Sequence, residues 1–249
     1  MKETANVVVE KNGCIAVIRI NNPPQNYLPS PAFISVDKLN SIAEDEDIKG
    51  VIITGTGRHF SAGADLEKLF ETACDADILT KEMTAGSQLL DHIFGLKIPV
   101  VAAITGACLG GGLEIAMACH IRFASAKSLF AFPEINHGLM PGLGGIARMV
   151  KQSGDHHAIS LLLSGDIIDA EKALKYNIVH YVSDDDVLGA SLKYLKNMVS
   201  TKPKNVICSI MQAIHNANKL PLHEALHEET RMFCKLALEE AQRRKSEIW

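Results

Sequence analysis

No C-x-x-C pair, no excess of basic charge and no apolar stretch of membrane-spanning length occur in this 249-residue chain. Each absence removes a class of function. The six cysteines (Cys14, Cys74, Cys108, Cys119, Cys208, Cys234) are scattered. They read as reduced thiols of a cytosolic protein rather than a disulfide framework or a metal ribbon. A net charge of −4, with acidic and basic residues mixed along the chain, lacks the basic stripe that a phosphate backbone requires. A small polyanionic ligand stays open, because a few local cations and helix N-termini can serve it. The longest apolar run, Ile98 to Ile104, is far too short to cross a bilayer. The opening Met1-Lys2-Glu3-Thr4-Ala5-Asn6 lacks a signal peptide's apolar core, and Glu3 argues against a transit peptide. A soluble, cytoplasmic protein is expected. Aromatics make up only 5% of residues, so Ala, Ile, Leu and Val must supply the core, as in many α/β enzymes.

What is present alternates strand and helix. Val7 to Glu10 and Cys14 to Ile20 read as a hairpin around Asn12-Gly13, a pair suited to a type I′ turn. A helix should follow to about Glu44. Gly50 to Gly55 and Pro99 to Ile104 read as short buried strands, and Ile121 to Ala124 as another. Lys68 to Leu79 has mixed periodicity and reads as a mobile, partly helical loop, whereas Gln88 to Phe94 reads as helix. Further helices are expected at Ala158 to Leu163 and Ala170 to Lys175, the latter ended by Asn177 in a left-handed conformation. From about Val206 the pattern is purely helical, with Pro221 opening the last helix. The predicted organisation is an α/β core over residues 1–202 and a helical region over 203–249.

Two glycine-rich turns follow two of the predicted buried strands. Gly110-Gly111-Gly112 enters the apolar helix Leu113 to Cys119. Without Cβ atoms, a ligand can approach the amides at the positive end of that helix. Close helix–strand packing would explain the glycines equally well. A P-loop is excluded because Leu113-Glu114 follows the turn, and a dinucleotide fingerprint fails at Cys108. The second turn, Phe60-Ser61-Ala62-Gly63-Ala64-Asp65, offers a matching set of small residues. An oxyanion hole needs N–H donors from two such segments, each worth about 10²–10³ in rate.

Two acids stand in apolar surroundings. Glu114 lies inside the apolar helix, and Glu134 follows Phe130-Ala131-Phe132-Pro133 and precedes Gly138, Gly142, Gly144 and Gly145. Desolvation should raise both pKa values towards neutrality and suit the pair to general acid–base work. The competing explanation is that either acid pairs with Arg122 or Arg148.

These segments together resemble the crotonase (enoyl-CoA hydratase/isomerase) family. The resemblance rests on Pro99 to Gly106 running into Gly110 to Cys119, on Phe130 to Gly145, on Phe60 to Leu66 and on Ser164 to Ala170. It implies a spiral of repeated ββα units with C-terminal helices that associate into trimers or hexamers. It also implies an oxyanion hole from the amides of Ala64 and Gly111, with Glu114 activating a water that Gly142 helps to place. Glu134 would then protonate the α-carbon of a 2-enoyl-CoA. Ala62, Ala64, Asp65, Leu66 and Lys68 would contact coenzyme A, which is part of the substrate, and no separate cofactor or metal is implied.

The chain departs from the family pattern in places. Asn21-Asn22-Pro23 stands where Asn-Arg-Pro is usual, leaving Arg58, Lys68 or Arg243-Arg244-Lys245 to meet the phosphates. His120 replaces a usual aspartate, and His137 stands three residues after Glu134. Both histidines are expected to be structural, although His137 could tune Glu134.

Two other readings compete. Within the family, the alternative is an isomerase, which would need Glu134 alone, or another lyase or hydrolase of related acyl thioesters. His223-Glu224-Ala225-Leu226-His227 matches the His-Glu-x-x-His pattern of zinc peptidases, but Thr230 breaks the extended motif. An amphipathic helix burying Leu222, Leu226, Met232 and Phe233 explains that segment without metal.

Overall fold

The computed structural model describes residues 7–184 and 186–247. The opening hexapeptide, read above for its lack of an apolar stretch, lies outside the described residues. Strands β1 (Val7–Asn12) and β2 (Ile15–Ile20) form the expected antiparallel hairpin. Its turn residues are Gly13 and Cys14, since Asn12 pairs with Ile15 inside the ladder. Gly13 alone of these has a positive φ, 64°, which is the II′ pattern rather than the expected I′.

Helix α1 (Val36–Glu44) starts at Ser35, whose hydroxyl accepts from the Lys38 amide. It leads to β3 (Gly50–Gly55), every residue of which is buried. Then come α2 (Leu66–Thr72) and α3 (Ala76–Phe94), capped by Asp65 and Asp75. The stretch read as a mobile loop is therefore helical through most of its length. Only the C-terminal half of α3 buries a regular stripe, Gly86, Leu89, Leu90 and Ile93, so its first half gives no clear period.

Strands β4 (Val100–Ile104) and β5 (Ala107–Leu109) precede α4 (Gly111–Ala118), and β6 (Ile121–Ser125) and β7 (Leu129–Ala131) precede a 3-10 turn over Pro133–His137. Next are α5 (Gly145–Ser153), α6 (Asp155–Ser164), β8 (Ile168–Asp169), α7 (Ala170–Lys175), β9 (Tyr181–Ser183), α8 (Val187–Val199), α9 (Lys204–Lys219) and α10 (Leu222–Glu247). Asn177 closes α7 with φ 58°, as expected.

The main sheet has the order β1-β2-β3-β4-β6-β9 and is parallel from β2 onwards. A smaller sheet, β5-β7-β8, is prolonged by single bridges between Leu28 and Ala64 and between Ser61 and Cys108. Successive turns of the chain thus lay one strand in the main sheet, a short strand or bridge in the small sheet, and then a helix. This is the ββα spiral that the resemblance implies.

The unbroken apolar runs follow from burial on both sheet faces. Val100, Ala102 and Ile104 of β4 face the larger core with Leu90, Leu113 and Phe130. Val101 and Ala103 face a second core closed by Val187, Leu195 and Val199 of α8. Helix α9 docks through Ile207, and the Lys204 ammonium donates to the carbonyls of Ala43 and Asp45.

Candidate active site

Two chain crossings set the amides. After β3, the Ser61 hydroxyl donates to Asn26 O (2.8 Å) and accepts from Gly63 N (3.1 Å), which fixes the turn. Leu28 N then donates to Gly63 O, and Asp65 N donates to Leu28 O. The Ala64 amide falls between these two bonds. After β5, Leu109 N is held by Ser61 O and Gly110 N by Ala131 O. Gly111 is the first residue of α4, so its amide has no partner within the helix. Among the described residues, neither Ala64 N nor Gly111 N donates to a protein acceptor.

The two turns lie against each other. A Cβ built on Gly63 would stand 2.8 Å from Leu109 O and 3.5 Å from Gly111 N, and one on Gly111 would stand 4.0 Å from Ala64 N. A Cβ on Gly112 would collide with Ser61 O at 2.6 Å. Both explanations of the triple glycine therefore apply, at different positions. Gly112 permits packing, while Gly111 opens the wall of a cavity.

Glu114 is 2% exposed, and its Oε1 accepts from Leu143 N (2.8 Å) and Gly145 N (2.7 Å). Burial raises its pKa, opposed by those two amides and by the Arg148 charge. Glu134 follows Pro133 on the 3-10 turn, and its buried Oε2 has no hydrogen-bond partner in the protein. Burial lifts its pKa to about 7, with the Glu114 charge adding to the rise and its own backbone amide opposing it.

Neither acid forms the ion pair weighed above. The buried Arg122 guanidinium donates to Ile178 O (2.6 Å) and Cys119 O (2.8 Å). Arg148 donates to Leu143 O at 2.7 Å.

Glu114, Glu134, Ala64, Gly111 and Gly142 line one cavity of about 770 Å³. Ala62, Asp65, Leu66 and Lys68 line the same cavity. The Ala62 amide is spent on Gln25 O, and the Asp65 carboxylate caps α2 and reaches the Lys68 ammonium at 4.0 Å. Lys68 itself remains exposed. Gly142 meets the Met83 side chain closely enough that a Cβ there would overlap Met83 Cε.

A sequence model of the family described as Enoyl-CoA hydratase/isomerase matches residues 10–248. The chain belongs to this family. It is 34% identical over 214 residues to a probable enoyl-CoA hydratase of Bacillus subtilis, covering 84% of this chain and 81% of that one. It is 33% identical over 234 residues to the short-chain-enoyl-CoA hydratase of Clostridium acetobutylicum, covering 93% and 89%. Among solved structures, an enoyl-CoA hydratase subunit I of Geobacillus kaustophilus superposes with a TM-score of 0.84 at 30% identity, over 97% of this chain and 93% of that one. The fold is therefore the crotonase fold with a C-terminal helical region.

Of the other sequence features of this enoyl-CoA hydratase/isomerase family member, His120, His223 and His227 fall outside the cavity. His120 Nδ1 accepts from Val100 N (2.9 Å), so its Nε2 carries the hydrogen and donates to Phe94 O (3.0 Å). Burial holds its pKa down to about 4, and its role is structural. His137 lines the cavity and is exposed. His223 and His227 are more than 80% exposed on α10, and among the described residues no three His, Cys, Asp or Glu side chains gather to hold a metal.

The expected buried stripe of α10 is not buried within this chain. Leu222, Leu226 and Phe233 are exposed, Met232 is half-buried and Ala225 is buried: among the described residues α9 packs against α10 without covering those three side chains. Two site features escaped the sequence reading: the Leu143 and Gly145 amides that hold Glu114, and the bond from Arg148 to the loop carrying them. Gly144-Gly145 opening a helix with Arg148 one turn later was the available signal.

Proposed function

We propose that this chain is a 2-enoyl-CoA hydratase, adding water across the C2=C3 bond to give a 3-hydroxyacyl-CoA. The observation that carries the reading is the sharing of one cavity by two unpaired amides and two carboxyls. Attack of water on C3 moves the alkene electrons towards the thioester oxygen. The amides of Ala64 and Gly111 would stabilise that developing enolate. Glu114 has Oε1 tied to Leu143 and Gly145, which leaves Oε2 to take the water's proton. Glu134, with a pKa of about 7, is protonated below neutrality and in part at neutrality, and would deliver that proton to C2. Transfer of the proton on Glu114 back to Glu134 resets the pair. These steps call for no metal or redox group. Gly142 would sit beside the water, and Ala62, Asp65, Leu66 and the exposed Lys68 would meet coenzyme A.

The outward apolar residues of α9 and α10, including Ile210, Ile214, Leu226 and Phe233, favour a homotrimer or a dimer of trimers. Among the described residues no helix is long and apolar enough to cross a membrane, which suits a cytoplasmic enzyme.

Crotonyl-CoA tests the proposal through the loss of its enoyl absorbance. Wild type should hydrate it, and Glu114→Gln should lose about 10²-fold or more of that rate. Equal rates would remove Glu114 from the chemistry.

The unpartnered Glu134 Oε2 also fits an isomerase, in which that carboxyl alone moves a proton along the acyl chain. Isomerisation of a 3-enoyl-CoA that survives Glu114→Gln and disappears in Glu134→Gln would favour this second reading.

A further inference from the structure

A chain of three contacts links Glu114 to α5. Arg148 Nη1 donates to Leu143 O at 2.7 Å. The amide of that same Leu143 donates to Glu114 Oε1 at 2.8 Å, and Gly145 N joins it at 2.7 Å. The guanidinium thus grips the outer side of the loop whose inner side holds the carboxylate. Gly144, with φ 92°, leaves the space this needs, because a Cβ there would lie 2.6 Å from Arg148 Nη1. Arg148 is half-buried and absent from the lining of the active-site cavity. It borders a second cavity of about 970 Å³ together with Asp91, His120, Lys151 and Lys219.

We infer that Arg148 is the positioning residue of the proposed base. It fixes the 142–145 loop by one hydrogen bond and places its positive charge near the Glu114 carboxyl. The inference rests on the proposed role of Glu114.

The charges around the pair leave Arg148 free for this task. Glu134 faces Glu114 from the 3-10 turn. Asp91 of α3 and the Cys119 thiol face Arg148, and the Asp91 carboxylate is engaged at 3.0 Å by Lys219 of α9. No carboxylate among the described residues comes within ion-pair distance of Arg148, so its hydrogen bond to the loop is its directional contact. Loss of the guanidinium removes both effects at once. The loop amides lose their outer anchor, and a buried carboxylate loses its nearby cation.

The test compares wild type, Arg148→Met and Arg148→Lys. The Glu114 carboxyl is titrated by carbon-13 NMR, its signal assigned by its absence in Glu114→Gln. Hydration of crotonyl-CoA is followed against pH. Arg148→Met should move the Glu114 titration and the acidic limb of kcat to higher pH. It should lower kcat by about 10- to 100-fold, with KM little changed. Arg148→Lys should move the titration in the same direction by less, and it serves alone if the methionine variant does not fold. An unmoved Glu114 titration in a folded variant overturns the inference, whatever the rate does. Should wild type fail to hydrate crotonyl-CoA while the titration moves, the hydratase reading falls and the positioning role stands.

Discussion

Glu114 and Gly145 meet twice. The Gly145 amide donates to Glu114 Oε1 at 2.7 Å, and a Cβ placed on Gly145 would stand 2.9 Å from that same oxygen. A real Cβ does not approach an oxygen so closely, so any side chain here displaces the carboxylate or the loop. Gly145→Ala is predicted to reduce kcat for hydration by about 10²-fold. Circular dichroism should show the fold kept. Steady-state kinetics check it, and an unchanged kcat would detach the loop from catalysis.

Gly110 has the same relation to the other acid. Its φ of 50° and ψ of −124° lie where residues with a Cβ are strained, and a Cβ there would meet Glu134 Oε1 at 2.9 Å. Gly110→Ala should cost about 1–3 kcal/mol of stability and most of the activity. Denaturant unfolding and crotonyl-CoA turnover measure the two effects separately.

The raised pKa of Glu134 has a sign for stability. The folded state holds a proton up to about pH 7 that the unfolded chain releases near the ordinary carboxyl value of 4.5. Between these values the native state binds more protons, so this group's contribution to stability is lost as pH rises through that window. Glu134→Gln, which cannot ionise, should raise Tm relative to wild type at pH 8, with the gap closing at pH 5. A gap independent of pH would contradict the assigned cause. In the proposed mechanism the same proton is delivered to C2, so hydration limited by chemistry should decline above about pH 7, as an apparent property of the coupled carboxyls.

Arg122 makes a contrasting case. Its buried guanidinium satisfies Ile178 O and Cys119 O and touches neither acid. Arg122→Met should destabilise by about 2–4 kcal/mol by leaving these carbonyls unpaired. The rate per folded molecule should stay at the wild-type value. Urea titration and active-site-normalised kinetics distinguish this from a catalytic role.

The sequence was readable where one local property decides the outcome. Runs such as Val100 to Ile104 admit little besides a strand buried on both faces, and Asn177 marks the end of α7 by its tolerance of a left-handed conformation. Glu114 and Glu134 stood out because an acid among apolar neighbours is costly unless it is used. What stayed hidden depends on distant partners. The first half of α3 borders the cavity and shows no period, and α5 begins in Gly144-Gly145, which locally reads as coil. The outward face of α10 carries Leu222, Leu226 and Phe233, and amphipathicity alone does not say what covers them. Arg148 was weighed as an ion-pair partner, whereas its contact is with a carbonyl five residues away.

The most direct test of the central claim is a crystal structure of the protein with a 3-ketoacyl-CoA, whose enolised thioester imitates the charge built up during hydration. The account predicts the thioester oxygen at about 2.7–3.1 Å from both Ala64 N and Gly111 N, with the Glu114 and Glu134 carboxyls flanking C2 and C3. A thioester oxygen bound away from either amide, or the two carboxyls facing different parts of the ligand, would contradict it.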